Sequence, residues 1–207
     1  RCHERPPDVG MNNIFWPEYY RFSRYIRRMS WLMTEDVNQT SIAVLTHEVG
    51  IPWRAVKPLF EQQLEFNYLE ASLLPACEIK DGQVHIAKQQ YKVIVVESAA
   101  GWDEQTVSFL QRFVAAGGKV VQLDTVESAA ANEANTPKSA GANAWDAIGE
   151  IGQLRVQDPE QLPEVLRPII GAVPTIAPAD AALRISQLKL GGLDVIVLLN
   201  EGEEVSQ

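Results

Sequence analysis

Residues 91–123 read YKVIVVESAAGWDEQTVSFLQRFVAAGGKVVQL, and this stretch decides the fold. It opens on Tyr91–Val96, an apolar, β-branched run that reads as a buried strand. The loop Glu97–Trp102 follows, then a helix over about 103–116, whose Val107, Leu110, Phe113 and Val114 fall at spacings of three and four. Gly117-Gly118 stops that helix, because glycine takes the left-handed conformation at a helix end without steric cost. Lys119–Leu123 is the next strand. Strand, helix and strand joined by short connections predict a right-handed parallel unit with helices covering the sheet.

The same grammar extends outward. Upstream, Ser41–Leu45 reads as a buried strand, a helix is predicted around Trp53–Phe66, and a second strand-like run lies near Tyr68–Leu73. Asp81-Gly82 between the apolar Ile79 and Val84 predicts a hairpin, read as a small excursion rather than a sheet-core element. Trp16-Pro17 opens a helix over 17–35, with Tyr19, Phe22, Ile26, Met29 and Met33 on one stripe. Downstream, residues 126–144 are rich in Ala, Asn, Ser, Glu and Thr and read as a long surface loop. A short helix over about 145–150, a strand at Gln153–Val156 and a helix at Pro159–Ile170 follow, Pro163 being placed in the helix's first turn. Leu183–Leu190 and Leu193–Leu199, joined by Gly191-Gly192, predict a hairpin.

The architecture expected is therefore α/β: an open, mostly parallel flavodoxin-like sheet with helices on both faces, plus an N-terminal helix and a C-terminal β-hairpin. Three segments are expected: an arm and linker helix over 1–36, the α/β domain over 37–180, and the start of a β-rich neighbour over 181–207. Arg1 in place of Met, and Gln207 soon after a strand-like run, read as boundaries cut from a longer chain.

With 207 residues, 46% of them hydrophobic, the chain can bury a core without staples. Its formal charge of −9 disfavours a phosphate backbone as partner, so no nucleic acid is expected. Residues 1–30 carry +3 of that total and the remainder −12, which predicts that the N-terminal segment lies against an acidic surface, either of this domain or of a neighbour. No run approaches the ~20 apolar residues of a membrane span, so no membrane is expected; no signal-peptide pattern is present, which favours the cytoplasm and leaves the compartment open. Cys2 and Cys77 have no metal-ligand spacing and read as two unrelated thiols.

In an open α/β sheet, ligands bind beyond the carboxyl ends of the strands. That rule singles out His47 and Glu48 after the first strand, Glu97 after the Tyr91–Val96 strand, and Asp124 after the Lys119–Leu123 strand. A histidine and carboxylates converging there could hold a cation or a small ligand. Ser98 with His47 is a conceivable nucleophile pair, but no nucleophile-elbow motif supports it. Each loop after a strand carries a single glycine, so neither a dinucleotide fingerprint nor a phosphate loop is present. No catalytic residue, metal or cofactor is assigned. Trp16, Tyr20, Arg21, Arg24 and Arg28, aromatic and guanidinium groups on one helix, read as a protein interface.

The runs His3-Glu-Arg-Pro-Pro-Asp-Val-Gly10, Phe15-Trp-Pro-Glu-Tyr-Tyr20, Tyr25-Ile-Arg-Arg-Met-Ser-Trp-Leu-Met33 and Ser41-Ile-Ala-Val-Leu45 resemble large multidomain glycoside hydrolases of the α-L-rhamnosidase and β-galactosidase-like kind. Gly117-Gly118-Lys119 and Leu198-Leu-Asn-Glu201 are similar to later parts of the same region. The resemblance implies a class I glutamine amidotransferase-like, flavodoxin-like domain between a catalytic barrel and a β-sandwich. It implies contacts with other domains of the parent polypeptide, and a homo-oligomer. The position matching the amidotransferase nucleophile is near Asp124-Thr125, where no Cys stands, so that activity is not carried over. The expectation is a non-catalytic structural or interaction domain, with a small-ligand or metal module and an enzyme with an unusual nucleophile as alternatives.

Overall fold

A computed structural model describes residues 11, 13–35, 37–47, 50–97, 102–123 and 153–202, with Glu35 and Gln153 described through their backbone alone. Five strands build the central parallel sheet: β2 (Ile42–Thr46), β3 (Asn67–Glu70), β7 (Val93–Glu97), β8 (Lys119–Leu123) and β9 (Gln153–Val156). Their spatial order is β3-β2-β7-β8-β9, all parallel. Counted along the chain this is the order 2-1-3-4-5 of the flavodoxin-like sheet, whose direction of progression reverses between β2 and β7.

Period-two alternation explains why both faces are apolar. Ile42, Val44, Val93, Val95, Val121 and Leu123 point to one face, and Ala43, Leu45, Ile94, Val96 and Val120 to the other. The first face is covered by α2 (Trp53–Glu61) and α4 (Leu162–Ile170), through Ala55, Val56, Leu59, Leu162 and Leu166. The second is covered by α3 (Glu104–Ala115), through Val107, Leu110 and Phe113.

Helix α3 is bounded as its sequence requires. Asp103 caps its start by accepting from the Thr106 amide at 2.8 Å. At its end Gly117 (φ +95°) donates to the Val114 carbonyl and Gly118 to the Phe113 carbonyl, each at 2.9 Å, a Schellman pair. Helix α2 stops at Glu61, five residues before the predicted Phe66. Gln63 takes the left-handed conformation (φ +52°) and donates to Phe60, while Leu64 donates to Leu59. This is the same closing motif without glycine, which is why the sequence carries no stop signal there. The Gln63 side-chain amide compensates by donating to the carbonyls of Asp180 (2.9 Å) and Leu183 (3.2 Å).

Two further readings change. The run expected to be a strand to Leu73 leaves the sheet at Glu70 and continues as a 3-10 turn, Ala71–Ala76. Tyr91 belongs to a second sheet, not to β7. Strands β4 (Glu78–Lys80), β5 (Gln83–Ile86) and β6 (Gln89–Tyr91) form an antiparallel meander around the Asp81-Gly82 turn, both turn residues having positive φ. This excursion reaches the core, because Val84 and Tyr91 are buried with the α3 cluster.

The C-terminal hairpin, β10 (Leu183–Leu190) and β11 (Leu193–Asn200), turns on Gly191-Gly192 as predicted, and β1 (Val37–Asn38) adds a third strand beside β10. Glu65 accepts from the Gln187 amide at 2.7 Å, so hydrogen bonds cross the boundary placed at 181. At the other end of the chain the N-terminal helix begins with a 3-10 turn, Trp16–Glu18, and continues as α1 (Tyr19–Glu35). None of residues 19–34 is buried. The loop over 126–144 and the short helix near 145–150 lie outside the described residues. No described helix is long and apolar enough to cross a membrane.

Candidate functional site

The place to search is the carboxyl rim where β2 and β7 meet, the switch point of this topology. Of the residues proposed from sequence, Glu48 and Asp124 lie outside the described residues, as does Ser98. His47 and Glu97 are described, and neighbouring strands deliver both to the rim, Leu45 of β2 being paired in register with Val96 of β7. Their side chains engage opposite faces of the sheet.

Glu97 turns toward α2. Its Oε2 accepts from the Ala55 amide at 2.9 Å. Ala55 is the third residue of α2, and its amide is one that an N-cap side chain ordinarily satisfies. The N-cap residue here is Pro52, which has no side-chain acceptor. Glu97 therefore supplies from 42 residues away what the local sequence lacks. A helix N-terminus at a switch point is suited to an anion, and in this chain a protein carboxylate is bonded to it.

His47 turns toward α3 and stacks on Trp102, ring centroids 3.9 Å apart and planes 13° apart. Trp102 is buried beneath it, whereas His47 is exposed. Asp103 follows directly. Its carboxyl is held below the usual aspartate range, first by the hydrogen bonds of Thr106 and then by the nearby His47, with burial opposing. Thr46 fixes the start of the loop, its hydroxyl donating to the Gly50 carbonyl at 3.0 Å.

Beside His47 runs an open groove of about 720 Å³, between α3 and the 3-10 turn, lined by Ser72, Asp103, Gln105, Ser108 and Arg112 among others. Sequence reasoning named His47 but not these partners. Asp103, read from the sequence as the first residue of the helix, is its N-cap; an aspartate ahead of an apolar-periodic run is the signal that could have named it. Gln105, Ser108 and Arg112 were legible only as the polar side of α3, with nothing to pair them with Ser72. A smaller cavity of about 240 Å³ lies at the opposite edge of the sheet, between Thr40, Gln63, Glu65, Lys92 and Gln187. Its lining comes from five distant segments, so no local signal announces it. Among the described residues no group of three or more His, Cys, Asp and Glu is placed to hold a metal ion. Cys77 is a free thiol, half-buried, and Cys2 lies outside the described residues.

The proposed interface residues are all on the surface. Trp16 is 41% exposed and Tyr20 58%, and Arg24 and Arg28 are exposed. Arg21 bonds Glu18 at 3.0 Å and lies over the Tyr20 ring.

No family model matches this chain, and no curated protein does. Among solved structures it is similar to alpha-L-fucosidase isoenzyme 2 from Paenibacillus thiaminolyticus, at 19% identity and a TM-score of 0.35. That match covers 51% of this chain and 16% of the fucosidase chain, so this chain corresponds to a small part of that protein's length.

Proposed function

We propose that this chain is a non-catalytic structural and interaction module of a larger carbohydrate-active glycoside hydrolase, packing between other domains of that polypeptide. One observation carries the reading: two apolar elements, α1 and β11, have no cover among the described residues. Phe22 (60% exposed) and Ile26 (44%) on α1, and Ile196 (56%) and Leu198 (64%) on β11, lie open. Apolar surface of this kind marks an interaction face. The residues that resemble glycoside hydrolases, Phe15–Tyr20 and Leu198–Glu201, fall on or beside these same two elements. The Glu97 carboxylate bonded at α2 fits the reading, since the switch point then serves to join two elements of the fold.

The test is turnover by the chain alone on aryl α-L-rhamnosides and aryl β-D-galactosides. No release of the aryl group above the buffer rate is expected; measurable release that scales with protein would overturn the reading.

The groove beside His47 favours a second reading, a module that binds a small ligand at the carboxyl edge of its sheet. Its volume is in the range that drug-sized ligands occupy. A thermal-shift screen against metals, nucleotides, flavins and sugars separates the two. Saturable stabilisation that is lost in His47→Ala supports the ligand module, and a flat screen removes it.

A further inference from the structure

The groove beside His47 has one wall whose polar side chains the fold does not use. Gln105, Ser108 and Arg112 follow at spacings of three and four on α3, so they share one side of the helix, and all three line the groove. None of them makes a side-chain hydrogen bond or an ion pair with any described residue. The Arg112 guanidinium lies over the Phe109 ring, 5.6 Å from its centroid. Such a contact engages the face of a guanidinium and leaves its N–H edge for a carboxylate, which it can hold by two parallel bonds.

Glu104 lines the same groove at the other end of α3, and it too has no partner among the described residues. Its neighbour Asp103 is engaged in capping, and His47, stacked on Trp102, stands at this end. The helix dipole favours an acid in the first turn and a base in the last. It does not require that both face one groove. Arg112 stands eight positions after Glu104, about 12 Å along the helix axis. Side chains on a helix lean toward its N-terminus, and because both lean the same way the spacing is kept. Between the two charges the lining is neutral. Ser72 of the 3-10 turn adds a hydroxyl, and the buried Leu74 and Phe109 add apolar surface.

We infer that this groove takes a short extended peptide with both termini free: its carboxylate on Arg112, its ammonium group at Glu104, and its amides on Gln105 and Ser108. The length follows from the spacing, since an extended chain spans about 3.3–3.6 Å per residue and roughly four residues cover the distance. Charge selects a peptide terminus over a phosphate group. One carboxylate matches one guanidinium, whereas a phosphate would bring further negative charge toward Glu104 and Asp103 in a chain of net charge −9. Alternation along an extended peptide turns every second side chain toward Leu74 and Phe109. The inference rests on the ligand-module reading of the previous section and names the ligand class.

Isothermal titration calorimetry of the 207-residue chain with the peptide Ala-Leu-Ala-Leu, both ends free, tests it. Saturable binding is expected. Amidating the carboxyl end, acetylating the amino end, or shortening the peptide to Ala-Leu should each weaken it at least about tenfold. Arg112→Gln should weaken the free peptide by the same factor as amidation and leave the amidated peptide unaffected, as a direct pair requires. Glu104→Gln should do the same for acetylation. Both positions are exposed, so the unfolding midpoint should hold. If Arg112→Gln lowers it, Arg112→Lys replaces that variant, and the loss of the two-bond geometry should still weaken binding several-fold. Absence of saturable binding at millimolar peptide overturns the inference, and so does an affinity indifferent to both termini. Inorganic phosphate that binds more tightly than the peptide, and is lost in Arg112→Gln, also overturns it by assigning the groove to a phosphate anion. If no peptide binds while the thermal-shift screen finds stabilisation that His47→Ala removes, this inference fails and the ligand-module reading stands. A flat screen together with no peptide binding removes both.

Discussion

Strands β2 and β11 are alike in sequence and opposite in circumstance. The first reads Ile-Ala-Val-Leu-Thr and all five residues are buried. The second contains Val-Ile-Val-Leu-Leu and none of its eight residues is buried. A continuous apolar run is what a strand needs when both its faces are covered. In β2 the covers are α2 on one side and α3 on the other. In β11 both faces remain open, Ile196 and Leu198 on one and Leu193 and Leu199 on the other. The contrast teaches that an apolar run does not by itself say whether its faces are covered: those of β2 are, and those of β11 are open among the described residues.

The largest effect should come from the covered region. Phe113 is fully buried against the α3 face of the sheet, so Phe113→Ala should cost about 3–5 kcal/mol in urea unfolding. Leu198→Ala on β11 should change the stability of the chain alone by less than about 0.5 kcal/mol. Equal costs would erase the contrast. The next effect is Gly118→Ala. An added Cβ would stand 2.1 Å from the Phe113 ring, so one methyl group should cost about 1–3 kcal/mol by forcing that ring aside.

Glu97→Ala should cost about 1–2 kcal/mol, because it leaves the Ala55 amide without its acceptor. Added acetate or formate should recover part of the loss in the variant and do nothing for the parent. Absence of rescue would show that the carboxylate matters for packing instead of for the amide. The smallest effect is pH-dependent. The Asp103 carboxyl is depressed in the folded chain, so its contribution is present above the ordinary aspartate range and fades as pH falls through the folded value. The stability difference between the parent and Asp103→Ala should therefore shrink toward zero in acid, as read from urea midpoints across pH. Because the group is largely exposed, the amplitude is small.

The parallel sheet was legible because its signals are local and repeated. Val93–Val96 and Lys119–Leu123 announce themselves as short, largely apolar runs, and Gly117-Gly118 marks the end of α3. What escaped depended on distant partners. Gln63 closes α2 in a left-handed conformation with no glycine to advertise it, supported by carbonyls more than a hundred residues away. Tyr91 looked like the first residue of β7, but it pairs with Val84 in the small meander. His47 and Glu97 both reach the carboxyl rim of the sheet. Which way each side chain turns was not written in spacing, since it follows from the absent acceptor at Pro52 and the ring of Trp102.

The central claim is that this chain has a doubly covered sheet and outer elements that no described residue covers. Amide hydrogen exchange on the chain, diluted until it sediments as a monomer, tests it most directly. The account predicts that β2, β7 and β8 exchange only through global unfolding. Helix α1, with no buried side chain among residues 19–34, should exchange orders of magnitude faster. Protection of α1 equal to that of β7 in the monomer would contradict it.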